Sequence, residues 1–364
     1  MPGPVYTPLV EALPSTVPFV GPETQERAKG AVFAARLGAN ENVFGPSPRA
    51  ITAMAEAAAG AWMYGDPENF DLKAALAAHH GVKPENIVVG EGIDGLLGYL
   101  ARMIVEPGVA VATSEGAYPT FNFHVAGYGG RLAKTAYVDD KESPEGLLEL
   151  ARRENARLIY FSNPDNPMGT WHDAATVQGM IDNVPDDALM ILDEAYLEFA
   201  PEDAAPPINA DDPRVIRFRT FSKAYGMAGM RVGYAIAEAE LALAFNKVRN
   251  HFGVNRVAQA AALAALADQE YLAENVARVA RSRGKIAEIA AAHGLNVLPS
   301  ATNFVAIDCG KDGAYAKSVL EGLIARNIFV RMPFVEPQNR CIRISAGTDR
   351  DLDLFAAALA DVLN

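Results

Sequence analysis

Lys223 follows Thr220-Phe221-Ser222 and precedes Gly229-Met230-Arg231, so an amine has hydroxyls just before it and a guanidinium eight residues after it. A lysine becomes a nucleophile and a proton carrier when its site lowers its pKa. Hydroxyls with a guanidinium suit a phosphate dianion. Asp193 closes the apolar run 188–192 in Leu192-Asp193-Glu194-Ala195-Tyr196, where a carboxylate is costly unless paired. Asn166 lies in Asn163-Pro164-Asp165-Asn166-Pro167-Met168-Gly169, and Arg343 in Cys341-Ile342-Arg343-Ile344-Ser345. Strand alternation sets Arg343 with Cys341 and Ser345, away from the two isoleucines. Each residue also has an ordinary reading: a surface lysine, a capping aspartate, a core Tyr196, a turn asparagine, an exposed edge-strand arginine.

Gly90-Glu91-Gly92-Ile93-Asp94-Gly95 fits G-x-G-x-x-G after an apolar run, and Glu115 lies about twenty residues on. That pattern suits a dinucleotide-binding turn, which makes an NAD-dependent dehydrogenase the rival with a different cofactor. The same turn, opening a helix with free N–H groups, serves a monophosphate equally well.

These segments need a frame. Short apolar runs at 86–89, 109–113, 131–136, 157–161, 188–192, 215–219 and 232–237 alternate with helical stretches. Nearly continuous apolar runs are expected of strands covered on both faces, and their alternation with helices predicts an α/β fold with a mainly parallel sheet. Ligands then bind at the carboxyl ends of the strands, where the four segments can meet. Ser47 and Pro48 predict a helix start, running to about Gly60; a second helix is expected over 71–80 with Gly81 as its stop. Helical patterns follow at 238–248, 254–266 and 271–293, then a smaller α/β unit with strands at 303–307, 328–331 and 341–345 and a last helix from Asp349. The expected organisation is an N-terminal arm (1–45) packing with the small domain, a large domain (46–245) and a small C-terminal domain (246–364).

A chain of 364 residues with a formal net charge of -13 is repelled by nucleic acid and anionic membrane surfaces, so neither is an expected partner. Two cysteines make no disulfide framework, and the proline-rich start lacks the pattern of a signal peptide; a cytoplasmic location is expected. The six histidines show no metal-ligand spacing, and no metal is expected.

The set of segments resembles the class I/II aminotransferases of fold type I, which use pyridoxal 5'-phosphate (PLP), and is most similar to the histidinol-phosphate aminotransferase branch. The likeness extends to Asn40-Glu41-Asn42 with Phe44-Gly45-Pro46-Ser47-Pro48, to Tyr64-Gly65-Asp66-Pro67-Glu68, and to Gly347-Thr348. It implies an aspartate-aminotransferase-like fold whose large domain binds PLP, with Lys223 carrying it as a Schiff base. It implies that Asp193 pairs with the ring nitrogen, that Tyr196 and Asn166 hold the phenolic oxygen, and that Phe121 stacks on the ring. Gly92, Ile93, Asp94, Thr220, Ser222 and Arg231 would hold the phosphate, joined by Tyr64 from the neighbouring subunit of a homodimer. Ile93 departs from the small residue that relatives often carry, which loses a hydroxyl contact. Arg343 would clamp the substrate carboxylate, with Arg331 and Asn40 also on the substrate. The implied reaction moves an amino group from an amino acid or amino-alcohol phosphate to a 2-oxo acid. An aromatic amino-acid aminotransferase, a phosphothreonine-type PLP decarboxylase and a non-catalytic binding protein are the other readings.

Overall fold

The seven strands read from the middle of the chain form one sheet in the computed structural model, which describes residues 3, 5–15 and 20–363. They are β2 (Ile87–Gly90), β3 (Ala110–Ser114), β4 (Arg131–Thr135), β5 (Leu158–Ser162), β6 (Leu189–Asp193), β7 (Val215–Thr220) and β8 (Gly233–Ile236); β1 (Ala35–Arg36) lies outside this sheet. The order is β2-β8-β7-β6-β5-β3-β4. β8 alone is reversed relative to the other six strands. Every residue of β3, β5 and β6 is buried, which explains their unbroken apolar runs; β4, at the edge, buries only Ala133 and exposes Arg131 and Lys134.

Because β8 is reversed, the carboxyl ends of β2, β5, β6 and β7 share one edge with the start of β8. That edge carries the Gly90 turn, the Asn163–Asn166 loop, Asp193, the Thr220–Lys223 segment and Arg231.

A second, antiparallel sheet has the order β12-β10-β9, from β9 (Asn296–Val297), β10 (Phe304–Asp308) and β12 (Cys341–Ser345). β1 pairs in parallel with β11 (Ile328–Phe329), which ties the N-terminal segment to this C-terminal unit. Ile342 and Ile344 join its core, with Leu352 and Phe355 of the last helix.

The local signals are chemical. Ser47 Oγ accepts from Ala50 N and Pro48 opens the helix Pro48–Ala58; Gly81, with φ 68°, ends Phe70–His80. The 238–248 pattern is not one helix: Ala239–Ala244 is α-helical and Phe245–Lys247 tightens to a 3-10 turn. The helix expected over 254–266 starts at Arg256, because Asn255 caps it through Ala258 N. It packs on Pro48–Ala58 and Phe70–His80. No helix among the described residues is long and apolar enough to cross a membrane.

Candidate active site

A cavity of about 280 Å³ opens at the shared strand edge. At one end, β2 runs into the helix Gly92–Ile104, whose first turn carries Ile93 and Asp94. Its unsatisfied N–H groups and positive dipole end favour an anion. Gly92 sits at φ 78°, and a Cβ there would lie 2.5 Å from Arg231 Nη2, so any side chain would strain this turn and displace the guanidinium. Thr220 Oγ1 donates to Ser222 Oγ (2.9 Å), and Arg231 Nη1 reaches the same oxygen at 3.4 Å. Two hydroxyls, a guanidinium and a helix start make a cup for a phosphate dianion.

The dinucleotide reading fails on topology. It needs an acidic residue at the end of the strand next to the glycine turn. Glu115 follows β3, which four strands separate from β2, and its side chain is exposed.

Lys223 projects into the cavity, with Nζ donating to Asn40 O (3.1 Å) and lying 5.4 Å from the Tyr196 ring centroid. Burial, with Arg343 and Arg231 nearby, pushes its pKa down to about 8. Asp193 ends β6 and is buried; Oδ1 accepts from Ala195 N (3.0 Å) and Oδ2 from the Tyr160 hydroxyl (2.6 Å). Tyr196 accepts from Asn40 Nδ2 (3.0 Å), and burial raises its hydroxyl to about 12.

Arg343 is 8% exposed. Its Nη1 donates to Asn166 Oδ1 (2.5 Å), its Nε has no partner among the described residues, and its guanidinium lies 5.0 Å from the Phe304 ring centroid. A neutral amide and an aromatic face thus hold a buried cation that remains available to an incoming anion. Burial pushes it down to about 10. Arg331 pairs with Arg343 through the backbone and lines the same cavity. The Asn166 loop rests on a buried acid pair: Ser162 donates to Glu142 and Asp165, and burial raises both carboxyls, with the Asp165 charge adding to the rise of Glu142.

Three expected residues stand elsewhere or in other roles. Phe121 does not reach the cavity; it is fully buried and stacked on Tyr160, with centroids 4.7 Å apart and planes at 16°. Pro119 starts a helix, so Phe121 turns into the core while Tyr118, its N-cap, lines the cavity. Asn40 lines the cavity, but its side chain is already engaged, donating to Tyr196 and accepting from Ser345 Oγ (3.1 Å). Tyr64 is 77% exposed, outside the cavity, and packs on Phe252. Tyr118 and Tyr160 were missed. Tyr160 reads as a core strand aromatic, and its only signal is alternation with Ser162 on one face of β5.

The model of the family "Aminotransferase class I and II" matches residues 35–359. The chain belongs to this family. This aminotransferase is 36% identical over 334 residues to histidinol-phosphate aminotransferase 1 of Mesorhizobium japonicum, covering 90% of each chain. It is 36% identical to the histidinol-phosphate aminotransferase of an Anaeromyxobacter species, over 99% of both. Among solved structures, the histidinol-phosphate aminotransferase of Sinorhizobium meliloti in complex with pyridoxal-5'-phosphate superposes with a TM-score of 0.96. It is 56% identical and covers 98% of this chain and 97% of that one.

The residues of this aminotransferase fit PLP. The phosphate cup, a buried carboxylate that forms no salt bridge among the described residues, a lysine of lowered pKa and a phenol beside an amide all face one cavity. Among the described residues, no group of three or more His, Cys, Asp or Glu side chains could hold a metal ion.

Proposed function

We propose that this chain is a PLP-dependent histidinol-phosphate aminotransferase, moving the amino group of histidinol phosphate to a 2-oxo acid. The observation that carries the donor is the pair Arg331 and Arg343, adjacent and facing one cavity. Two guanidiniums beyond the cofactor cup suit a phosphorylated donor and, in the second half-reaction, a carboxylate acceptor.

Bound PLP supplies an aldehyde for the substrate amine and an electron-poor ring that accepts the electron pair released at the substrate Cα. The chain supplies the rest. Main-chain N–H groups after Gly92, at Ile93 and Asp94, with Thr220, Ser222 and Arg231, hold the cofactor phosphate. Asp193 keeps the ring nitrogen protonated, and Tyr196 with Asn166 holds the phenolic oxygen. Tyr118 covers the ring in place of Phe121. Lys223 would anchor the cofactor and, once the substrate amine has displaced it, would as a free amine take up the proton from the substrate Cα. Arg343 would orient the substrate against Lys223.

We further propose a homodimer in the cytoplasm. Trp62, Tyr64, Phe70 and Phe252 are all exposed, with the Tyr64 and Phe252 rings in contact, and exposed large apolar side chains that cluster mark interfaces. In that dimer, Tyr64 of the partner subunit would complete the phosphate cup. The two cysteines are free, as suits a reducing compartment.

The direct test is kcat/KM with 2-oxoglutarate as acceptor. Histidinol phosphate should exceed L-phenylalanine and O-phospho-L-threonine by at least about tenfold, since its one phosphate dianion can engage both guanidiniums, whereas phenylalanine offers a single carboxylate and phosphothreonine must place a carboxylate and a phosphate at once. A preference for phenylalanine, or carbon dioxide release from phosphothreonine, would overturn the donor assignment. Two site predictions accompany it. Gly92→Ala strains the turn and meets Arg231, so PLP affinity of the apoprotein should fall by about tenfold or more in a fluorescence titration. The neutral amine is the nucleophile and Lys223 titrates near 8, so PLP capture by the apoprotein should speed up with pH and level off above about 8. An unperturbed lysine would continue to gain to about pH 10.4.

A further inference from the structure

Asp193 and Tyr160 meet at the wall of the cavity. Both side chains are buried, and the Tyr160 hydroxyl donates to Asp193 Oδ2 at 2.6 Å. Asp193 Oδ1 takes one main-chain N–H, from Ala195. Glu194 is the like charge next to Asp193, Lys223 the nearby cation, and Tyr118 and Tyr196 the other titratable neighbours. No ion pair of Asp193 is found among the described residues, so hydrogen-bond donors must offset the loss of water. Burial drives the Asp193 carboxyl up, and Tyr160 is the strongest influence opposing that rise. Burial holds the Tyr160 phenol well above its usual range, so it stays protonated and can only donate to the carboxylate.

Two packing facts fix the direction of that donation. Tyr160 is on β5 and Asp193 at the end of β6, adjacent parallel strands in which Ser162 is opposite Asp193. The Tyr160 ring is clamped against Phe121. Phe121, drawn away from the cavity by the helix that Pro119 starts, thereby acquires a role behind the site.

We infer that Tyr160 is a positioning residue, backed by Phe121, that keeps the Asp193 carboxylate charged and aimed at the cofactor ring nitrogen. This deepens the PLP reading and rests on it. Without the hydroxyl, Asp193 retains one main-chain donor in an apolar setting and takes up a proton more readily. A protonated Asp193 cannot hold the proton on the ring nitrogen.

The test is Tyr160→Phe, which keeps the ring and its stack and removes one oxygen. PLP binding to the apoprotein is measured across pH by fluorescence, without turnover. The dissociation constant should rise about tenfold near neutral pH, the scale of a hydrogen bond to a charged group, and rise more steeply than wild type as pH falls. In the holoenzyme, kcat should fall by a similar factor, its acid limb should move to higher pH, and the donor KM should stay within about twofold. In an Asp193→Asn background the same substitution should add almost nothing, whereas a merely structural loss would add in full. Unchanged PLP binding and acid limb in Tyr160→Phe, or full additivity in the double variant, would overturn the inference while leaving the PLP reading intact. Wild-type protein that fails to bind PLP would overturn both.

Discussion

Lys223→Ala should lower turnover by at least about 10⁴-fold while the variant still binds PLP noncovalently. The loss is that large because one side chain does two jobs. In the proposed reaction it is both the amine that anchors the cofactor and the base that takes the substrate proton, and general acid–base catalysis alone accounts for up to about 10⁴. Its surroundings suit both. Nζ rests on a main-chain carbonyl rather than a carboxylate, and burial between Arg343 and Arg231 keeps the amine easily deprotonated. Lys223→Arg should be no better, since a guanidinium stays protonated. Stopped-flow absorbance with donor alone separates the two jobs, because binding survives and the subsequent change does not. Turnover by the alanine variant within tenfold of wild type would remove Lys223 from the mechanism.

Arg343→Ala should cost about 10² to 10³ in kcat/KM, and Arg343→Lys should recover little. Truncating one side of a buried charge pair costs about 2–5 kcal/mol, and each 1.4 kcal/mol is a factor of ten. Lysine cannot reproduce the planar fork. The loss should fall on both half-reactions, because donor and acceptor reach the same guanidinium. Cofactor binding should be nearly unchanged, since Arg343 lies beyond the phosphate cup. Measuring kcat/KM for each substrate together with the PLP dissociation constant checks all three expectations. A variant that loses PLP while keeping kcat/KM at saturating cofactor would place Arg343 in the wrong part of the site.

The sheet was legible because its strands are covered on both faces, so that Leu158–Ser162 and Leu189–Asp193 carry unbroken apolar runs. Lys223, Asp193, Asn166 and Arg231 were legible because each stands at or beside the end of such a run. Arg343 was legible from alternation: Ile342 and Ile344 point into the C-terminal core, which leaves Arg343 facing the cavity. Phe121 was not. Whether it or Tyr118 meets the cavity depends on where the helix begins: with Pro119 as its first residue, Tyr118 stands before the helix and Phe121 inside its first turn, and residue type carries no trace of that. Tyr160 hides for a related reason, since an aromatic in a buried strand reads as packing until its hydroxyl is seen to touch Asp193. Asn40 marked the site without revealing its role. At φ 56° it turns its carbonyl to Lys223 while its amide bridges Tyr196 and Ser345, a junction between segments about 150 and 300 residues away. The role of Tyr64 depends on a second copy of the chain, which local patterning cannot specify.

In the proposed reaction, Lys223 and the cavity around it transfer an amino group from histidinol phosphate by way of bound PLP. That reaction is tested most directly by a single half-reaction, in which PLP-loaded protein is mixed with histidinol phosphate, without any oxo acid, and its visible absorbance is followed. The predicted result is loss of the cofactor's visible band with one equivalent of deaminated product per site, and return of the band with one equivalent of glutamate when 2-oxoglutarate is added. A band that never forms with PLP, or one that histidinol phosphate leaves unchanged while another amine removes it, would contradict the account.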